Sequence, residues 1–228
     1  MRTLFHLPLS ADCRAVRLAL AEKGLPFALE AEPVWERRPD FLALNPAGEV
    51  PVLVEGAPGE GGAGAVVCGA SVILEYLDEV HPEPPLIGTV QPARVEVRRL
   101  CDWFARAFAA EVGAPLLHEK LTKRFLQLGQ PDSRAIRDAR ERLDHHLAYV
   151  DSLVDGRRWL AGETMTRSDL VAAAALSVVD YLGDVRWQAH EPARDWYAKL
   201  KSRPGFRPLL QDYVPGAAPP RHYADLDF

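Results

Sequence analysis

Cysteine is scarce in this 228-residue chain, and its three copies, Cys13, Cys68 and Cys101, lie far apart. With no CxxC pair, neither a zinc site nor a disulfide framework is signalled. Reduced thiols in a cytoplasmic protein are the expectation. Long apolar runs are missing too, since nothing approaches the ~20 residues of a membrane span. The opening MRTLFHLPLSADC, broken by His6 and Pro8, does not read as a signal peptide. Basic charge is also short. Lys and Arg number 27 against 32 Asp and Glu, a net charge of −5 that argues against a nucleic-acid-binding surface.

What is present divides into two halves. Residues 1–80 alternate strand and helix signals. Thr3 to Leu7 reads as a strand and Cys13 to Lys23 as a helix. Gly24 stands where a left-handed residue ends a helix, and Pro26 blocks continuation. Phe27 to Ala31, Val50 to Val54 and Val66 to Cys68 are further strand candidates. The glycine-rich stretch 55–65 reads as a flexible hairpin loop, lacking the Lys and Ser/Thr of a phosphate loop. Ser71 to Val80 has the apolar spacing of a helix.

A proline-rich linker, 81–93, precedes an all-helical unit, 94–212. Arg94 to Val112 and Pro115 to Leu128 read as two separate helices. Ser133 to Val154 carries a long apolar stripe, with His145 and His146 expected on its solvated side. In MTRSDL, Thr166 and Asp169 have the spacing of a capping box ahead of the apolar run LVAAAALSVV. The tail, 213–228, is expected either to lie along the body or to engage a partner.

The sharpest local feature is NPAGEVPVL, residues 45–53, in which Pro51 interrupts a strand-like run. Proline gives no N–H to a sheet ladder and belongs at an edge, a bulge or a cis turn. NPAGEVPVL, SVILEYL (71–77), LAGETMTRSDL (160–170) and WYAKLKSRPGF (196–206), in this order and spacing, resemble the cytosolic glutathione transferases. The resemblance covers almost the whole chain. It implies a thioredoxin-like α/β domain followed by an all-α domain, with Pro51 in cis and Val50 offering its backbone to glutathione. It also implies a thiol activator near the first helix. Because no tyrosine precedes Tyr76, the tyrosine-type members are excluded. Ser10 and Cys13 match the two serines of the serine-type pattern. Asp12 disfavours a thiolate at Cys13, and Ser10 is also a favoured helix cap. At the γ-glutamyl clamp Ser71 is kept, but the preceding acid is replaced by Ala70. Losing a charged hydrogen bond costs ~1.5–3 kcal/mol, or roughly 10- to 100-fold in affinity.

The damaged clamp points to a second use of the fold. The opening HLPLSADCRAVRLALAEKG and the ending DLDF resemble a division-protein branch of the family that binds the tubulin-like polymer protein FtsZ. That resemblance implies a non-catalytic cytoplasmic homodimer at the division site, without cofactor or metal, contacting FtsZ filaments and altering their curvature and bundling. Trp35, Arg37, Arg38, Leu226, Asp227 and Phe228 are the expected contact residues, since Trp and Arg dominate binding hot spots. The alternative is a glutathione-conjugating enzyme with Ser10 as activator and Val50, Pro51 and Ser71 as the peptide site. A redox role for Cys13 is a third reading.

Overall fold

The computed structural model describes residues 1–56 and 64–226. The chain folds into a thioredoxin-like N-terminal domain and a helical C-terminal domain. The sheet has the order β2-β1-β3-β4. Strand β1 (Arg2–His6) pairs in parallel with β2 (Ala28–Ala31) and antiparallel with β3 (Val52–Glu55), which pairs antiparallel with β4 (Val66–Cys68). The register sets Leu4 opposite Leu53, and both are fully buried. Most of the predicted hairpin loop, 57–63, lies outside the described residues.

Helix α1 (Ala11–Glu22) is buried continuously from Cys13 to Leu20, against the sheet domain and the helical domain alike. It ends at Gly24, φ 65, where Leu25 N–H reaches back to Leu20 O at 2.9 Å. A left-handed residue costs glycine least, which is why the helix stops there. Helices α2 (Pro39–Leu44) and α3 (Ala70–Val80) complete this half.

The two helices predicted over 94–128 are one continuous rod. Helix α4 (Gln91–Asp102) passes into a π-helical stretch, Trp103–Gly113, then α5 (Ala114–Leu117), a π turn His118–Thr122 and α6 (Lys123–Phe125). Ala114 N–H bonds five residues back to Ala109 O. The wider π turn carries the helix up to Pro115, whose missing N–H would break a regular α ladder. Helix α7 (Ser133–Val154) packs on this rod. His146, expected in water beside exposed His145, is buried instead. Its Nδ1 accepts from Trp103 Nε1 at 3.0 Å, and Glu111 lies 3.2 Å from Nε2. Residue 146 falls between Leu143, Leu147 and Val150 on the buried stripe, so the helical period places it inward.

Helix α8 (Arg167–Tyr181) is buried on every side and packs on α1. It starts with the predicted capping box: Thr166 N–H bonds to Asp169 Oδ2 at 2.9 Å. Helices α9 (Glu191–Lys201) and α10 (Arg207–Leu210) follow. The tail then lies along the body as far as it is described. A 3-10 turn, Arg221–Ala224, seats Tyr223 in the interior, where its ring meets Tyr181 edge-on at 5.2 Å between centroids.

Candidate functional site

The turn before β3 ends in a cis Val50–Pro51 bond. Gly69 N–H donates to Pro51 O at 3.0 Å, which sets the start of α3 against that bend. Gly69 is the N-cap of α3 at φ 85 and has no side chain to cap with. Ala70 follows, and the first turn of α3 carries no acid. Ser71 is exposed in the second position. This end of α3 suits a ligand carboxylate and offers nothing of its own to an ammonium group.

Ala70 and Ser71 open onto a cleft of about 460 Å³ between α1, α3, α4 and α8, shared with Asp12, Arg98, Asp102 and Arg167. Glu75 also faces it, but its carboxylate is held by Arg167 and by Arg98 Nε at 3.0 Å, which pulls its pKa down to about 2. Asp12 is the cleft's remaining acid near α3. Loss of surrounding water and the like charge of Glu49 raise its pKa.

Ser10 and Cys13 sit together at the start of α1. Ser10 Oγ accepts from Cys13 N–H at 3.3 Å, so the serine caps the helix. Cys13 is fully buried. Burial pushes its thiol up to about 11, with Ser10, the Leu7 backbone and Arg17 opposing and the charge of Asp12 adding to the rise. At neutral pH it is a packed thiol and not a nucleophile.

Trp35 stands elsewhere, on a 3-10 turn, Val34–Glu36, and is 71% exposed. The turn is fixed on both sides. Val34 N–H donates to Glu32 O at 2.9 Å and Glu36 N–H to Pro33 O at 2.8 Å. Arg37 takes the left-handed conformation at φ 48, and Arg38 Nε donates to the buried Glu32 at 3.2 Å. Leu226 is half-buried at the end of the described tail; Asp227 and Phe228 lie outside the described residues.

One polar cluster was not signalled by the sequence. Arg14, fully buried, donates to Pro8 O (2.7 Å), Ser177 Oγ (2.8 Å) and Tyr223 Oη (3.0 Å), and meets Asp212 at 3.1 Å. Arg17 takes the same Asp212 at 2.7 Å. It could have been suspected only from two arginines falling on the buried side of α1. Among the described residues no group of His, Cys, Asp and Glu could hold a metal ion, and no helix is long and apolar enough to cross a membrane.

Residues 4–85 match the family model for the N-terminal domain of glutathione S-transferase. The chain is 51% identical over 227 residues to FtsZ-localized protein A of Caulobacter vibrioides, covering 100% of this chain and 98% of that protein. The solved structure of FzlA from C. crescentus superposes with a TM-score of 0.95 at 51% identity, covering 100% and 99%. A glutathione S-transferase structure from Rhodospirillum rubrum F11 superposes at 0.94, also at 51% identity, covering 100% of each chain. Two equally similar neighbours thus carry different names.

Proposed function

Since the chain belongs to the glutathione S-transferase-like superfamily and is similar along its whole length to FtsZ-localized protein A, we propose that it is a non-catalytic protein that binds FtsZ filaments and regulates their curvature and bundling at the cytoplasmic division site. The observation that carries this reading is Trp35, an indole 71% exposed on a hydrogen-bonded turn beside two arginines. A large aromatic held in place before the partner arrives loses little entropy on binding. Arg37, Arg38, Leu226, Asp227 and Phe228 complete the proposed contact surface. The family's ligand site supports the same conclusion from the other side, because Ala70 leaves the ammonium end of glutathione without its usual acid.

A homodimer fits this function. Two copies of one filament-binding surface raise the effective concentration for the second contact, and bridging two subunits or filaments is a route to bundling. Val72 on α3 and Val95 on α4 are large apolar side chains left exposed for a second copy to cover.

The test is co-pelleting with polymerised FtsZ. Wild type is expected in the pellet, and Trp35→Ala and Asp227→Lys in the supernatant. If both variants pellet like wild type, the surface is wrongly assigned.

One observation favours the enzymatic alternative: Asp12 shares the cleft with Ser71 and could receive an ammonium in place of the missing acid. Ser10 would then activate the thiol. Calorimetry with glutathione separates the readings. Micromolar binding that is lost in Asp12→Asn, with turnover lost in Ser10→Ala, would establish a transferase.

A further inference from the structure

The far end of the α4–α6 rod carries an apolar shelf that neither the family site nor the Trp35 surface uses. Phe125, Leu126, Leu128 and Tyr213 are 49%, 62%, 57% and 59% exposed. The shelf belongs to a closed helix end. Gln127 turns the chain at φ 54, and Leu128 N–H returns to Lys123 O at 2.9 Å. Next to it, a cleft of about 350 Å³ runs between the rod, the end of α8 and the strap 217–220. The strap is pinned to α8, since Tyr181 Oη donates to Ala217 O at 2.7 Å and accepts from Val214 N–H at 3.0 Å. Shelf and cleft adjoin: a β-carbon at Gly216 would stand 3.8 Å from Arg124 Nη2 and 3.9 Å from Phe125 Cε1.

The charge of the cleft is opposite to that of the chain. Its lining holds Lys120 and Arg124 and no carboxylate, in a protein of net charge −5. Lys120 is already engaged, by Leu182 O at 2.6 Å and Asp184 at 2.8 Å. Arg124 is exposed and forms no ion pair among the described residues. Leu121, Pro219 and Pro220 supply apolar walls.

We infer that this cleft and shelf form a second docking site, for a short peptide segment of a protein partner that carries an aromatic or large apolar anchor flanked by carboxylates. The anchor enters between Leu121 and the two prolines, and a carboxylate takes the guanidinium fork of Arg124. The volume suits one large side chain with its adjoining backbone. A bilayer would meet the protruding shelf and leave the concave cleft unused.

The experiment is fluorescence anisotropy with labelled peptides GDDWDDG and GKKWKKG. The acidic peptide is expected to bind below about 1 mM, to weaken as salt rises, and to exceed the lysine peptide by about tenfold or more. Arg124→Glu and the cleft-filling Ala218→Trp each reduce binding by a similar factor, while Trp35→Ala leaves it unchanged, so this site and the FtsZ surface stand or fall separately. Far-ultraviolet circular dichroism checks that both cleft variants remain folded. Equal affinity for the two peptides, no binding of either, or indifference to Ala218→Trp would overturn the assignment. So would a different occupant of the shelf: phosphatidylglycerol vesicles bound in a Phe125-dependent manner, or self-association lost in Leu126→Asp.

Discussion

Arg14 and Arg17 show how much a single carboxylate carries here. Among the described residues Asp212 is the one acid against which both buried guanidinium groups rest, at 3.1 and 2.7 Å. Removing one partner of a buried ion pair strands the other charge, at ~3–5 kcal/mol. Asp212→Asn is therefore expected to cost about that much, read from the midpoint of urea unfolding. A loss below about 1 kcal/mol, the range of a surface pair, would mean that water reaches the cluster. His6 borders the same cluster. Burial and then Arg17 lower its pKa to about 4, with Asp212 opposing. The folded state thus binds fewer protons than the unfolded one, whose His titrates near 6.5. Stability is full above pH 6.5 and falls as pH drops through the window down to about 4, by at most ~1.4 kcal/mol per pH unit. His6→Gln should flatten that slope; unfolding midpoints at pH 7 and pH 5 that shift equally in both proteins would remove His6 as the cause. Cys13, with its thiol near 11, should resist iodoacetamide and oxidised glutathione at pH 8 in the native protein and react on denaturation. A mixed disulfide at native Cys13 would restore the redox reading.

Among the elements, the start of α8 is the most sharply determined. Thr166 contributes a cap, while Asp169 is fully buried and satisfies Leu160 N–H (2.9 Å), Thr166 N–H (2.9 Å) and Trp196 Nε1–H (3.0 Å). Thr166→Ala is expected to cost ~1 kcal/mol. Asp169→Ala orphans three buried donors at ~1–3 kcal/mol each, so it should cost several times more. Comparable losses in thermal denaturation would show that the box acts through the cap alone. This element could be read from MTRSDL because capping depends on local spacing. The end of α1 at Gly24 was readable for the same reason, whereas at Pro51 the residues left an edge, a bulge or a cis turn open and the family resemblance implied the cis bond. The rod was not, because Pro115 signals a break and only tertiary packing selects the π register that passes it. His146 could have been read from its helical period, which outweighs its polarity. The Arg14–Asp212 contact joins residues 198 apart in sequence, and no local pattern encodes such a pairing. At the candidate site, Ala70 was visible as a missing charge. Asp12 as a possible replacement was not, since it depends on where α1 and α3 meet.

At the scale of the whole molecule, the two domains share one interior. Leu4, Val16 and Ile73 belong to the same buried cluster as Leu143, Leu170 and Trp196. Charged groups cross the boundary as well. Arg167, at the start of α8, meets Glu75 and Asp78 of α3, Arg203 meets Glu22 at 2.6 Å, and Arg14 reaches Ser177 of α8 at 2.8 Å. Opening the boundary would hydrate the apolar faces of α1 and α8 and strip the nearly inaccessible Arg167 of Glu75 and Asp78, while Asp78 would keep Lys23 at 2.9 Å. Chains with two domains commonly unfold in stages. Here the shared interior favours a single cooperative unit, because neither half retains its core without the other. Hydrogen exchange followed by mass spectrometry is expected to give peptides from β1, α1 and α8 the same opening free energy, within about 1 kcal/mol, and a fragment ending at residue 90 should not fold alone. Asp78→Asn should then lower protection in α3 and α8 together. Early exchange of the sheet domain while α8 stays protected would show instead that the domains open separately.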